Sequence, residues 1–221
     1  MSSGRNMRKY LFFLLIIFSI TVLNAELDLA RLHYQGGGDW YNNPDMLPNL
    51  AKFANRKMQI SINTEEKQIE PTDKKIADYP FIFMTGHGNI KFSDKAAAAL
   101  RKHLLRGGFL YADDDYGMDE SFRREIKKVF PEKELVELPA NHEIFNCYFE
   151  LGTIPKIHEH DKKRPQAFGI FDDFGRLMVL YTYETNISDG WAGPQVHNDP
   201  PEVRQKALKT GTNILYYIIT Q

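Results

Sequence analysis

The sequence has a single cysteine, Cys147, so it can form no internal disulfide and no cysteine-based zinc knuckle. It has no excess of either charge. Lys and Arg number 28 against 29 Asp and Glu, for a net charge of −1 and a pI near 6.7, which excludes the basic footprint that nucleic-acid binding requires. It lacks internal repeats, low-complexity tracts and any linker rich in Gly, Pro or Ser. No apolar run reaches the roughly 20 residues needed to cross a bilayer, since the longest, Leu11 to Leu23, spans 13. What is present is a hydrophobic content of 43% in 221 residues, enough to bury a core and to exclude disorder for most of the chain.

Residues 1–25 read as an export signal. Arg5, Arg8 and Lys9 form a basic start, Leu11–Phe18 is wholly apolar, and Leu23-Asn24-Ala25 places a small residue at the cleavage position. The expected mature chain, 26–221, is a single exported α/β domain, periplasmic in location. It carries a net charge of −4 once those three basic groups are removed, and its contact with membrane is limited to the signal before cleavage. The mature chain is long enough not to need disulfide staples. Cys147, inside Ile144-Phe145-Asn146-Cys147-Tyr148-Phe149, reads as a small buried hydrophobe and not a nucleophile.

Strands and helices alternate along the chain. Strands are predicted at Leu27–Tyr34, Gln59–Ile62, Phe81–Met84, Phe109–Ala112 and Leu135–Leu138. One helix runs through Leu47–Asn55. A second follows the cap Ser93 and ends at Gly107-Gly108, and a third carries Phe122, Ile126, Val129 and Phe130 on one face. Phe168–Phe171 and Leu177–Tyr183 flank Asp172-Asp173-Phe174-Gly175 as a β-hairpin, and a last helix starts with Asp199 as cap and Pro200 in its first turn. Apolar strands alternating with helices predict a flavodoxin-like or Rossmann-like parallel sheet, covered by helices on both faces, with a C-terminal β-hairpin insertion.

In such sheets ligands bind beyond the carboxyl ends of the strands, at a switch point in strand order. The polar residues expected there are Asp39, Trp40, Tyr41 and Asn42 after the first strand, Thr85, His87 and Asn89 after the third, and Asp113, Asp114, Asp115 and Tyr116 after the fourth. Aromatic rings in a polar loop suit a carbohydrate or another polar small molecule. Three successive aspartates create a repulsion that a bound cation relieves. Gly36-Gly37-Gly38 matches neither a dinucleotide fingerprint nor a phosphate-cradling loop and reads as a tight turn. The C-terminal third holds a second polar group, His158-Glu159-His160-Asp161, Asp189-Gly190-Trp191 and His197-Asn198-Asp199. His158 and His160 stand at the i, i+2 spacing that points both imidazoles to one side of an extended segment, and His197 or an aspartate can complete three ligands of a divalent metal with a position left for water. Asn186-Ile187-Ser188 is a glycosylation sequon.

Five segments, Tyr34-Gln35-Gly36-Gly37-Gly38-Asp39-Trp40-Tyr41, Phe83–Gly88, Gly107–Asp114, Pro155–His160 and His197–Glu202, resemble the bacterial family known as domain of unknown function 4159. The resemblance implies a fold similar to class I glutamine amidotransferases and trehalose-utilisation-type proteins, and no particular activity. Where amidotransferases carry a nucleophilic cysteine on a sharp turn after a strand, this chain reads Gly86-His87-Gly88. Imidazole is a poor substitute for a thiolate, so amidotransferase chemistry is not expected.

Three functional classes are compatible with these residues. The first is an envelope domain that binds a polar small molecule or carbohydrate at the strand ends. The second is a metal-assisted hydrolase drawing on His87, Asp113, Asp114, His158, His160 and His197. The third is a non-catalytic protein-interaction domain. If the resemblance holds, the C-terminal third folds back over the sheet and brings His158 or His160 into one crevice with His87 and Asp113–Asp115.

Overall fold

The structure is a computed structural model that describes residues 26–221, so the predicted export signal lies outside the described residues. Its centre is a seven-stranded sheet in the order β2-β1-β3-β4-β7-β6-β5. The strands are β1 (Leu29–Leu32), β2 (Lys67–Ile69), β3 (Phe81–His87), β4 (Phe109–Tyr116), β5 (Val136–Glu137), β6 (Gln166–Phe171) and β7 (Leu177–Tyr183). β2, β1, β3, β4 and β7 run parallel, whereas β6 is antiparallel to both β7 and β5. The predicted hairpin is therefore part of the sheet, with β7 paired directly to β4. Five helices complete the chain: α1 (Met46–Met58), α2 (Asp94–Leu105), α3 (Asp119–Val129), α4 (Pro194–His197) and α5 (Pro201–Thr220).

The alternation of side chains along each strand sorts the core into two layers. Phe81, Phe83, Phe109 and Tyr111 pack with Trp191 and with Leu47, Leu50 and Ile214 from α1 and α5. Ile82, Met84, Leu110 and Ala112 point the other way, against Leu100 and Leu104 of α2 and Phe122 and Ile126 of α3. The α/β architecture, with a mostly parallel sheet covered on both faces, agrees with the flavodoxin-like expectation. No helix among the described residues is long and apolar enough to cross a membrane.

Three local expectations change. Gln59–Ile62 forms no strand. Ile62 makes only an isolated bridge to Leu27, bracketed by two 2.8 Å hydrogen bonds with the Asn55 side chain. The edge strand is instead Lys67–Ile69, whose polar residues blunt an exposed edge and hide it from a hydrophobic pattern. The aspartate run lies inside β4 and not in the loop after it. Asp199 does not cap α5, because its carboxylate is engaged by His158 Nε2 at 2.9 Å. The Ser93 cap forms as expected, accepting a hydrogen bond from Ala96 N at 3.2 Å.

The chain leaves β1 for β2 on one side and returns to β3 on the other, which makes the C-terminal ends of β1 and β3 the switch point. The loop crossing it is held from below by Arg31. This side chain is fully buried in β1, with Nε and Nη2 at 2.8 and 2.9 Å from the two oxygens of Glu66. Its guanidinium also donates to the carbonyls of Trp40, Asn42 and Asn43. Breaking a buried ion pair by removing one partner costs roughly 3–5 kcal/mol. Arg31→Ala should lose about that much stability in urea unfolding, and the loss should exceed that of an exposed pair such as Arg164→Ala.

Candidate functional site

Beyond the strand ends, four loops meet. The loop after β1 supplies Asp39, Asn42 and Asn43, β3 ends in His87, β4 ends in the aspartates, and the segment after β7 supplies Asn186 and Asp189. The turn at Gly86 requires glycine, since its φ is +143° and a Cβ there would stand 2.4 Å from the Tyr34 hydroxyl. Gly36 is similarly constrained. Its φ is +121°, and a Cβ there would stand 2.7 Å from Asn89 O, so the glycine run serves as a close-packed turn.

The three aspartates divide their work by strand alternation. Asp113 is fully buried. Its oxygens accept from Thr182 Oγ1 at 2.5 Å, Thr185 Oγ1 at 2.9 Å and Ser188 N at 2.6 Å. It was expected to face a ligand, but it is sealed in the fold and ties the segment after β7 to β4. Asp114 points to the opposite face and accepts from Met118 N at 3.0 Å. Burial, reinforced by the nearby charges of Asp119, Asp113 and Glu184, pushes its carboxyl up to about 7. Asp115 is the unpaired residue where the β3–β4 register shifts. It accepts from Asn42 Nδ2 and from Asn186 Nδ2 (2.8 Å), and its Oδ2 lies 3.5 Å from His87 Nε2.

From Asp115 a chain of acids and imidazoles extends in both directions. On one side His87 Nδ1 stands 3.0 Å from Asp39 Oδ2, while the His87 amide donates to Asp39 Oδ1. On the other side Asn186 Nδ2 bridges Asp115 Oδ1, at 2.8 Å, and Asp189 Oδ2, at 3.2 Å. Burial, and then the Asp189 charge, push Asp115 up to about 9. In Asp189 burial acts in the same upward sense, but the hydrogen bond from His158 and those from its other neighbours outweigh it and leave the carboxyl below its ordinary value. His158 bridges Asp189 (Nδ1, 3.0 Å) and Asp199 (Nε2, 2.9 Å), and His197 Nε2 lies 3.4 Å from Asp189 Oδ1. The Asp189 hydrogen bond, opposed by burial and aided by Asp199, holds the His158 imidazole up at about 9.

Beside this chain lies a pocket of about 350 Å³. Asp114, Asp115, Asp119, Glu120, Asp161 and Glu184 give it acidic walls. Tyr116 and His160, stacked with ring centroids 4.6 Å apart, and Tyr183 give it aromatic surface, and Lys163 is the cation among its lining residues. His158 therefore joins His87 and Asp115 through Asp189, while His160 reaches the same region by way of the pocket.

Other predicted site residues stand elsewhere. Asn89 is occupied by the fold, donating to Gly36 O and accepting from Arg124 Nη2. Trp40 stacks on His33 with centroids 4.1 Å apart, and Tyr41 is exposed. Neither lines the pocket. Asn186 is 1% exposed with its Nδ2 on Asp115, so the folded chain presents no acceptor at that sequon. Asn43 and Asn186 were missed as functional residues, whereas Asn42 and Asp189 stood among the polar groups read from the sequence. Lone amides in loops carry no pattern, though Asp189-Gly190-Trp191 does stand out as a polar residue beside a glycine and a tryptophan.

The model of the family described as domain of unknown function (DUF4159) matches residues 28–219, and the chain belongs to that family. No curated protein matches it.

The Asp114 carboxyl gives a pH signature. Its folded value lies above its unfolded one near 3.9, so the native state holds a proton that the unfolded chain has released. Stability should therefore fall as pH rises from about 4 to 7, with a slope from this group of at most ~1.4 kcal/mol per pH unit. The acids facing it (Asp119, Glu120, Asp161 and Glu184) and His160 and Lys163 contribute to the total profile, so the comparison is with Asp114→Asn, whose amide oxygen can still accept from Met118. That variant should be more stable than wild type at pH 7 and equal to it near pH 4 in urea melts.

Proposed function

We propose that this member of a family without an assigned activity binds a polar, hydroxyl-bearing small molecule, of the carbohydrate class, in the acidic pocket at the C-terminal ends of β4 and β7. The observation that carries this reading is the pairing of aromatic surface with carboxylates that hold protons near neutral pH. Tyr116 and Tyr183 offer faces for a sugar ring. A carboxyl such as that of Asp114, poised near 7, can both donate to and accept from hydroxyl groups. The excess of acid over the lone Lys163 favours neutral or amine-bearing ligands and disfavours sugar acids and phosphates. Export through the residue 1–25 signal belongs to the same proposal and places the domain in the cell envelope, where such molecules are abundant.

Nothing in the site supports amidotransferase chemistry. The turn after β3 presents His87. Cys147 packs half-buried against the core, its Sγ donating to Asn213 O at 3.2 Å, and burial pushes its thiol up to about 11. Purified protein should release no ammonia from glutamine, and Cys147→Ala should leave ligand binding unchanged. A glutaminase activity abolished by that substitution would reverse the assignment.

The binding reading is tested by thermal shift and calorimetry against panels of neutral sugars, amino sugars and sugar acids. Members of the first two panels should bind, and Tyr116→Ala should weaken them by about tenfold, the ~1.4 kcal/mol expected for one lost stacking contact. Binding confined to the sugar acids, or left intact by both Tyr116→Ala and Glu184→Gln, would refute it.

A further inference from the structure

Three side chains from separate segments converge on one point next to the pocket. They are His158 from the loop before β6, Asp189 from the 3₁₀ turn after β7, and His197 at the end of α4. One donor atom from each lies within 4.8 Å of the other two. His158 Nδ1 is 3.0 Å from Asp189 Oδ2, and His197 Nε2 is 3.4 Å from Asp189 Oδ1. Ligands bound tetrahedrally at about 2.0–2.1 Å from a cation stand roughly 3.3 Å from one another. The two contacts run to different oxygens of Asp189, so its carboxylate spans the two imidazoles at separations close to those of coordination.

We propose that His158, Asp189 and His197 bind one first-row divalent cation of the zinc type, with a further coordination position left for water or an added ligand. Two imidazoles and one carboxylate favour such ions over magnesium and calcium, which prefer all-oxygen sites. Three protein ligands are also the number found where a metal keeps an open position.

The groups around the trio act as a metal site's supporting layer does. Asp199 Oδ1 lies 2.9 Å from His158 Nε2, so a proton on Nε2 leaves the Nδ1 lone pair directed at Asp189 and the cation. A carboxylate in this position orients a ligating imidazole and raises its basicity. Asn43 Nδ2 at 3.1 Å and Asn186 Nδ2 at 3.2 Å fix the Asp189 carboxylate from two sides. The Asp189 side chain is 4% exposed and those of the two histidines 23% and 26%, so the donors are ordered by packing and still within reach of solvent. Finally, the buried Oδ1 atoms of Asn42 and Asn186, next to Asp115, have no donor among the described residues. They are acceptors of the kind that a cation's bound water satisfies.

The rival account is purely structural: an imidazolium at His158 clamped between Asp189 and Asp199, with no ion. The two accounts separate in a titration of chelator-stripped protein with Zn²⁺ by calorimetry, and with Co²⁺ followed by visible absorption. A metal site gives one equivalent bound per chain and the absorption bands of low-coordinate Co²⁺. Affinity should fall at least ~100-fold in His158→Ala and His197→Ala and about tenfold in Asp199→Asn. It should be unchanged in His160→Ala, which leaves all three ligands in place. If His158→Ala fails to fold, His197→Ala and His197→Gln carry the test, since α4 has no buried residue. Wild-type protein that binds no Zn²⁺ tighter than about 0.1 mM would overturn the proposal. So would binding that survives both His197 substitutions, or binding that His160→Ala abolishes. None of these readouts depends on the carbohydrate ligand, so either proposal can fail alone.

Discussion

Three consecutive carboxylates buried at the end of a central strand set the terms for everything around them. A desolvated charge must be paired, hydrogen-bonded or protonated. Because side chains alternate along β4, no single neighbour can serve all three. Asp113 follows Tyr111 toward the side of the sheet that carries α1 and α5, Asp114 follows Ala112 toward α2 and α3, and Asp115 is the unpaired residue where the β3–β4 register shifts. Each position meets the requirement differently. Asp113 is hydrogen-bonded by Thr182, Thr185 and the Ser188 amide. Burial pushes the Asp114 and Asp115 carboxyls up, Asp114 accepting from Met118 N and Asp115 taking amide donors from Asn42 and Asn186. One sequence motif thus yields an anchor, a titrating pocket wall and a link in an acid–imidazole chain.

The anchor determines where the last third of the chain can go. By holding residues 182–188, Asp113 fixes the start of the segment that delivers Asn186 and Asp189, and with them the partners of His158 and His197. On the other side of the switch point Arg31 does the same for residues 40–43, which deliver Asn42 to Asp115 and Asn43 to Asp189. The site is therefore suspended between two buried charged groups of opposite sign, on adjoining parts of one sheet. Neither touches the pocket itself. This division explains how loops, which are otherwise the mobile parts of an α/β fold, hold polar groups at fixed separations.

The architecture was legible because its strands are apolar on both faces and its helices carry clear caps and periodicity, as at Ser93 and along Phe122–Phe130. The failures were polar. Lys67–Ile69 pairs through its backbone at a charged edge, so no side-chain pattern announces it. Asp199 followed by prolines has the appearance of a helix cap, yet its carboxylate is drawn to an imidazole 41 positions away. The convergence of His158 with the β4 aspartates followed from the family resemblance. The residue beside them, Asp189, stood in the polar group of the C-terminal third, but nothing local tied it to His158, 31 positions away. Arg31 sits between Ala30 and Leu32 and reads as an outward-facing charge in a strand, because burial of an arginine depends on a glutamate 35 positions on.

The Gly86-His87-Gly88 turn shows how the same backbone device can be put to a different use. A sharp turn after a parallel strand lifts one side chain clear of the sheet, at the point where loop and strand ends meet. That geometry suits a nucleophile, provided a base stands beside it to take its proton. Here the lifted group is an imidazole, and its neighbours are the carboxyls of Asp39 and Asp115. Their contacts orient the ring. The turn therefore contributes an imidazole fixed beside the acidic chain, about half exposed, with a side-chain accessibility of 51%. Asp39 and Asp115 thus hold this imidazole where the strand ends meet, beside the segments that carry Asn42 and Asn186 to the same aspartate.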